Sequence, residues 1–552
     1  MVLPPISSVG EADKLLQDLI ARKKLTEEDV RTSMLNIGIH NSFHNINNWE
    51  KKPKAADPKQ GTNKLSNTRK IKKDPFQNCR LRHIAIQIAY DGALYNGFAE
   101  NVGQGDDNSV EKHLFAALKK CCLVQNRGSC GYTRCGRTDK GVSAFGQVIG
   151  LVVRSSIPLV DGNGEEIKES TIPRNNIDEL EILMPQKRQS KKQQGKNDDF
   201  ANENKNVELK LKVFKEMDFC KMINAVLPDE IRAIGWAPVS NDFSARFSAK
   251  DRTYRYFFAQ RNLDIAAMRD GLARIVGSHD FRNLAKMDTE HVSNFCRLIL
   301  GTKIVEGVPD ESSCGKGTGD RYDRRVSYFE IKGQAFLWHM IRCIVAISFM
   351  VGKRLEDPSI FDELLDVDRN PGKPSYMMAP DLPLVLHNCA FHNVQLGYSA
   401  ANLWEVTCHL EARWERLSLA AERAKNALES LENDAYVRKD DLRGFVHQYL
   451  LKSKNQTSSV SDFDSLCCGN DLIAWKDALS LLAQIGKMPT PEKETAHVKL
   501  MSRSRGTTYE EKINCMKGRK RGRYEENIKK QKSPAEDAVF YRKMAQQGGS
   551  GV

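Results

Sequence analysis

Ile84, Ile86 and Ile88 alternate with His83, Ala85 and Gln87, and this period of two predicts a half-buried strand opening a folded unit near Leu81. The period then changes. Val110, Leu114, Ala117, Leu118 and Cys121 form a helical stripe, with Asn108 three residues before Glu111 as its capped start. The apolar run Val148–Val153 predicts a buried strand, Met217–Leu227 a helix and Ile231–Pro238 a returning strand. In Arg252–Phe258, strand alternation puts Tyr254, Tyr256 and Phe258 on one face and Thr253, Arg255 and Phe257 on the other. A helix over Ile265–Ile275 and strands over Arg297–Val305 and Arg325–Ile331 follow. From Ile341 the run Ala335–Gly352 is apolar nearly all round, which predicts a helix buried in the interior. Leu384–Leu386 reads as a short strand. Leu403, Val406, Leu410, Trp414, Leu417, Leu428 and Leu431 then make the seam of a long amphipathic helix, which packs on the body, on a partner helix or on a second copy.

Between these elements lie polar stretches. Glu11–Met34 has helical spacing, whereas Lys51–Lys73 reads as a basic linker and Gln186–Asn206 as a polar surface insertion. Asp310–Asp320 is a glycine-rich loop without a phosphate-loop pattern. Lys517–Arg523 is a dense cationic cluster, suited to RNA phosphates, to nuclear import or to a solvated tail.

The 552 residues allow two or three domains, and the formal charge of +13 points to an anionic partner. Fourteen cysteines without framework spacing or a Cys-x-x-Cys pair predict free thiols in a reducing compartment, with cytoplasm and nucleus both compatible. Met1–Gly10 lacks the pattern of a secretory signal, and His339 and Arg342 argue against membrane insertion of the longest apolar run.

The chemistry concentrates in Tyr132–Ala144. There Asp139 stands among Arg134, Arg137 and Lys140, between Gly136 and Gly141. A carboxylate can act as a nucleophile or electrostatic catalyst, and the cations beside it can grip phosphate. Thr138–Gly141 also reads as a plain hairpin turn. Tyr254 beside arginines suits stacking on a base, or core packing. Arg342, on an apolar helix, demands a carboxylate, with Asp139 and Asp280 as candidates.

Gly136–Ala144 resembles the active-site loop of the TruA family of tRNA pseudouridine synthases. The longer run from Tyr132 to Val148, together with Lys286-Met287-Asp288, is similar to the eukaryotic branch acting at positions 38 and 39 of the anticodon arm. Two further motifs match in order: Arg252-Thr253-Tyr254, and Leu337 followed by Arg342. The resemblance spans roughly Leu81 to Asn393. It implies an α/β (α+β) fold of two ferredoxin-like, RNP-like halves whose antiparallel sheets join around a basic cleft. Residues 81–240 and 241–398 would be the halves, 1–80 a basic arm and 399–552 a helical extension. It further implies Asp139, Tyr254 and Arg342 as catalytic residues, with Arg342 pairing with Asp139. Arg137, Arg134, Lys140, Arg246, Arg252 and Leu337 would bind substrate. The expected partner is tRNA, with no membrane, cofactor or metal required, and a homodimer is a further expectation. Modification of other RNA positions, or tRNA binding without catalysis, are the alternative functions.

Overall fold

β1 (Leu81–Tyr90), β3 (Ser143–Arg154) and β6 (Ile231–Pro238) form the front part of a nine-stranded sheet, with the two-residue β2 (Thr133–Arg134) added on β3. The computed structural model describes residues 74–100, 108–168, 171–172, 178–185, 209–308, 325–450, 463, 471–484 and 497–530. The expectations for Glu11–Met34, Lys51–Lys73, Gln186–Asn206 and Asp310–Asp320 fall outside them. β4 (Glu179–Pro185) and β5 (Leu209–Lys215) make a separate hairpin. The back part of the sheet is β7 (Ala249–Ala259), β8 (Gly277–Asp280), β9 (Cys296–Val305), β10 (Val326–Gly333) and β11 (Leu384–Phe391). Across the sheet the order is β6-β1-β3-β11-β7-β10-β9-β8.

The fold is therefore of the α+β kind that the resemblance implies. The two parts meet at a short parallel pairing, Ser143 with Val385 and Ala144 with Leu386, whereas the other pairings of the sheet are antiparallel. That seam positions the site. Ala144, Leu386 and Tyr254 occupy one row of register across β3, β11 and β7. With strands about 4.8 Å apart, Tyr254 lies roughly 10 Å across the sheet from the strand that the Asp139 loop feeds.

β1 is covered on both faces, not one. It lies between β3 and β6, Ile84, Ile86 and Ile88 are fully buried, and so is Ala85. Arg82 turns inward to a buried ion pair with Glu216, 2.8 Å away. Burial pushes the Glu216 carboxyl up, but bonds from Arg82, Ser155 and the Met217 and Ser156 amides outweigh it and hold it below its ordinary 4.5. A carboxyl lowered by folding stabilises the fold above its unfolded value, and that contribution is lost as pH falls through the folded value. Glu216→Gln is therefore expected to flatten the acid limb of a plot of Tm against pH below about 4.5. An unchanged acid limb would contradict this role.

α1 (Val110–Lys120) buries Val110, Leu114, Ala117 and Leu118 against the front sheet. Its cap is Ser109, whose hydroxyl accepts from Lys112 N at 3.4 Å, and not Asn108, which bonds His113 and Leu94 O. α2 (Phe219–Asn224) closes the same core. In the back part, α3 (Ile265–Ala273) and α4 (Met340–Gly352) cover one face, over Tyr256, Phe258 and Phe329. α4 is the interior helix that its apolar run predicts, with α5 (Ile360–Leu365) beside it. No described helix is long and apolar enough to cross a membrane. The described cysteines are free thiols.

α6 (Ala400–Asp434) begins firmly and then departs from expectation. Asn402 is fully buried and donates to Ala233 O and Ile234 O, with Val406 packed beside it. Arg413 pairs with Asp91. Along the rest of the predicted seam, Leu410, Trp414, Leu417, Leu428 and Leu431 are exposed, so apolar packing on the body is confined to the first turns and the contact at Arg413 is an ion pair. Beyond it, β12 (Tyr436–Arg438), α7 (Lys439–Phe445), β13 (Leu472–Ala474) and α8 (Trp475–Gln484) share a small core of their own. Finally α9 (Tyr509–Asn514) and α10 (Gly518–Lys530) return to the back part of the body. Lys520 reaches Glu290 at 2.7 Å and Asn527 donates to Glu290 O, so part of the cationic cluster is a docked helix.

Candidate active site

The Asp139 loop leaves β2 and enters β3, and its backbone is fixed from several sides. The buried Gln147 side chain exchanges two hydrogen bonds with Gly136, accepting from its N at 3.0 Å and donating to its O at 2.9 Å. Thr138 is buried. Its hydroxyl lies 2.7 Å from Tyr90 Oη, and its carbonyl accepts from Phe98 N. Gly141 N donates to Tyr95 O, and Val142 N closes a turn onto Asp139 O. Gly141 has φ +79°, and a Cβ there would lie 3.0 Å from the Asp381 carboxyl carbon, so both conformation and space call for glycine. Gly136 does not adopt a left-handed conformation; its backbone passes close to Leu386 instead. The loop is thus a turn and a rigid mount at once.

The mount aims Asp139 at the segment preceding α4. Trp338 Nε1 donates to Asp139 Oδ1 at 3.1 Å, and His339 Nε2 lies 3.5 Å from Oδ2. Lys286 Nζ sits 3.9 Å above the Trp338 ring, and Lys286 N donates to Trp338 O, so one residue fixes both the indole face and the backbone that carries it. His339 has φ +61°, a left-handed conformation uncommon outside glycine, and it starts α4 there. Its Nδ1 is buried without a partner among the described residues. Burial keeps its pKa low, with Arg342, Lys286 and Lys373 acting in the same direction and Asp139 opposing.

The expected ion pair between Arg342 and Asp139 is not formed. Arg342 Nε donates to Ala379 O at 2.7 Å, and among the described residues no ion pair joins it to either candidate acid. Asp280 pairs with Arg282. The turn holding Trp338 and His339 comes between the helix and the loop, and backbone satisfies the arginine instead.

Tyr254 is half-buried, its ring edge-on to Phe336 at 5.1 Å, and it touches both the front and back cores. Burial pushes its hydroxyl well up, so it stays protonated. Tyr256, on the same face, is buried among Phe329 and Phe349 as a structural neighbour. Leu337 is closed into the back core.

The basic residues divide into two groups. Arg252 is buried and donates to Cys135 O, Arg246 O and Gln334 O, so it clamps three backbone segments together and is not open to substrate. Arg134 is committed to Glu111, which is fully buried and also accepts from Arg127 and Tyr132 Oη. Arg137, Lys140 and Arg246 are exposed, with no carboxylate partner among the described residues. Burial lowers the Arg137 pKa, and the charges of Arg134, Arg246 and Arg127 act in the same direction with Glu111 opposing, so Arg137 stands near their cluster. An open cleft of about 610 Å³ lies there, lined by Arg127, Tyr132, Arg134, Arg246 and Phe247.

A family model described as tRNA pseudouridine synthase matches residues 272–392, the segment that carries Trp338, His339 and Arg342. A tRNA pseudouridine(38/39) synthase of Bos taurus is 36% identical over 403 residues, covering 71% of this chain and 74% of the relative. This chain belongs to the tRNA pseudouridine synthase family. The Homo sapiens relative of the same name is 39% identical over 357 residues, 64% of each chain, and that of Saccharomyces cerevisiae is 35% identical over 325 residues, 58% of this chain and 60% of the relative. Members of the family are isomerases acting on RNA.

For a pseudouridine synthase, sequence reasoning singles out the acid and the aromatic ring but misses what holds them. Glu111 reads as part of a helix cap, although Glu111, Leu114, Phe115 and Leu118 share the three- and four-residue spacing of one inward face. That spacing was the available signal. Trp338 and His339 lie in a turn before a helix, where periodicity carries no signal.

Proposed function

We propose that this protein isomerises uridine to pseudouridine at positions 38 and 39 of the tRNA anticodon stem-loop. The observation that carries the reading is Asp139, mounted on a loop pinned by Gln147, Tyr95 and Phe98, beside the seam that brings Tyr254 across from the other part of the sheet. The names of the bovine, human and yeast relatives support the positions.

In this reading the uridine leaves the stem, at a cost of a few kcal/mol, because no carboxylate reaches it while it is stacked. Arg137, exposed and without a carboxylate partner among the described residues, fills the vacated space. Asp139 drives cleavage of the bond between C1′ and N1 of uracil. The freed base turns, C1′ bonds to C5, the hydrogen of C5 is lost and N1 gains a proton, so substrate and product are isomers. Tyr254 stacks on the base and, being protonated, can donate a hydrogen bond. Trp338 and His339 aim the carboxylate, and Arg342, fixed on Ala379, adds positive field on the His339 side.

Trp338→Phe keeps an aromatic ring beneath Lys286 and removes the donor to Asp139. Its expected effect is a fall in kcat of about tenfold with KM held, and equal kcat would deny the contact an orienting role. The reading as a whole is tested by incubating an unmodified tRNA transcript with the protein and mapping pseudouridine. Modification at 38 and 39 supports it. Modification elsewhere points to the sister activity, and binding without modification points to a tRNA-binding factor.

A further inference from the structure

Ser244–Ser248 forms a closed, pinned loop. Ser248 N donates to Ser244 O at 2.8 Å, and Ser244 N donates to Ser248 Oγ at 3.1 Å. Ala245 is fully buried, its N donating to Thr133 Oγ1, and Arg252 grips Arg246 O at 2.7 Å. So rigid a loop nevertheless points two large side chains outward. Phe247 is 80% exposed and belongs to no core cluster, while the Arg246 guanidinium lies 5.2 Å from its ring centroid. Both line the cleft that Arg127, Tyr132 and Arg134 share. Arg127, Arg134 and Arg246 line it and Arg137 lies within reach of their charge; among the described residues Glu100 and Glu111 pair with Arg127 and Arg134, which leaves Arg137 and Arg246 without a carboxylate.

A single exposed phenylalanine ordinarily means nothing. This one is held on a preorganised loop, has a cation against its ring, and lines a cationic cleft. An ordered aromatic face beside unopposed arginines fits an unpaired nucleobase and the phosphate next to it. The Arg252 clamp ties this loop to Cys135, two residues before Arg137, so the platform stands beside the entry to the Asp139 loop.

We propose that Phe247 and Arg246 form a second RNA-binding site, in which Phe247 stacks on an unpaired base outside the reactive pocket and Arg246 holds an adjoining phosphate. This rests on the reading of the chain as an RNA-modifying enzyme and adds a base-stacking contact to it.

The test measures Kd of the full chain for an anticodon stem-loop RNA by fluorescence polarisation, with Tm and pseudouridine formation followed in parallel. Phe247→Ala is expected to raise Kd about tenfold with Tm unchanged, while Phe247→Trp restores binding and Phe247→Leu does not. Arg246→Gln is expected to lower the slope of log K against log salt by about 0.7, one phosphate contact on a single strand. Unchanged Kd in Phe247→Ala, full rescue by Phe247→Leu, or loss of binding together with a drop in Tm would each overturn the platform. Its failure is distinct from failure of the enzymatic reading. A wild-type protein that makes pseudouridine while Phe247→Ala binds normally removes only the platform, whereas one that binds through Phe247 yet makes no pseudouridine removes only the isomerase.

Discussion

Asp139→Ala is expected to lower the rate of pseudouridine formation by more than about a thousandfold, since nothing else in the site replaces a carboxylate aimed at the sugar–base bond. The fold should scarcely notice. The carboxylate accepts one hydrogen bond, from the half-exposed Trp338 indole, and lies 3.5 Å from His339, so its loss costs about 1 kcal/mol. Asp139→Asn separates the two effects further, because the amide oxygen still accepts from Trp338 while the charge is gone. Both variants should bind anticodon stem-loop RNA near the wild-type Kd and melt near the wild-type Tm. An Asp139→Asn protein with substantial turnover would remove the carboxylate from the chemistry.

The second large effect is expected on stability. Glu111 is fully buried and accepts from Arg127 Nη2 at 2.6 Å, Tyr132 Oη at 2.8 Å, Glu100 N at 2.9 Å and Arg134. Glu111→Ala would leave Arg134 without its partner and Arg127 with Glu100 alone. Glu111 is buried but its arginines reach the open cleft, where water can take up their charge, so the loss is expected at or below the low end of the range of about 3–5 kcal/mol that breaking a fully buried pair costs. The cost should appear as a marked shift of the urea midpoint at constant m-value, with RNA affinity reduced because the cationic cleft loses its frame. Glu111→Gln should fall between, as the amide keeps acceptor capacity without the charge. A midpoint within error of wild type would mean the arginines are held by other means.

How far the sequence discloses all this depends on the kind of feature. Alternation at Ile84, Ile86 and Ile88, and at Tyr254, Tyr256 and Phe258, discloses strands and their inward faces, because side chains on a strand have only two directions to choose between. The Asp139 loop is legible because its resemblance to a known motif names it. The partner of Arg342 is not legible. The apolar run shows that this helix is interior, but not that a turn would bring Trp338 and His339 to Asp139 while Ala379 O meets the guanidinium. Arg246 and Arg252 illustrate the same limit, for six residues apart one faces outward onto Phe247 and the other is a buried backbone clamp. The seam of α6 shows a further limit, since amphipathic spacing from Leu403 to Leu431 marks a face able to pack on the body, a partner helix or a second copy, and on the body its apolar burial ends at Val406. Periodicity reports which face is apolar; whether anything covers it is a property of the assembled molecule.

The central claim, that this site moves the uracil base from nitrogen to carbon, is open to a direct chemical reading. Because the new bond to C1′ replaces the hydrogen on C5, an anticodon stem-loop carrying uridine tritiated at C5 only at positions 38 and 39 should release tritium to water with wild-type protein and not with Asp139→Asn. Full retention of the label by wild-type protein that binds the RNA would contradict the account.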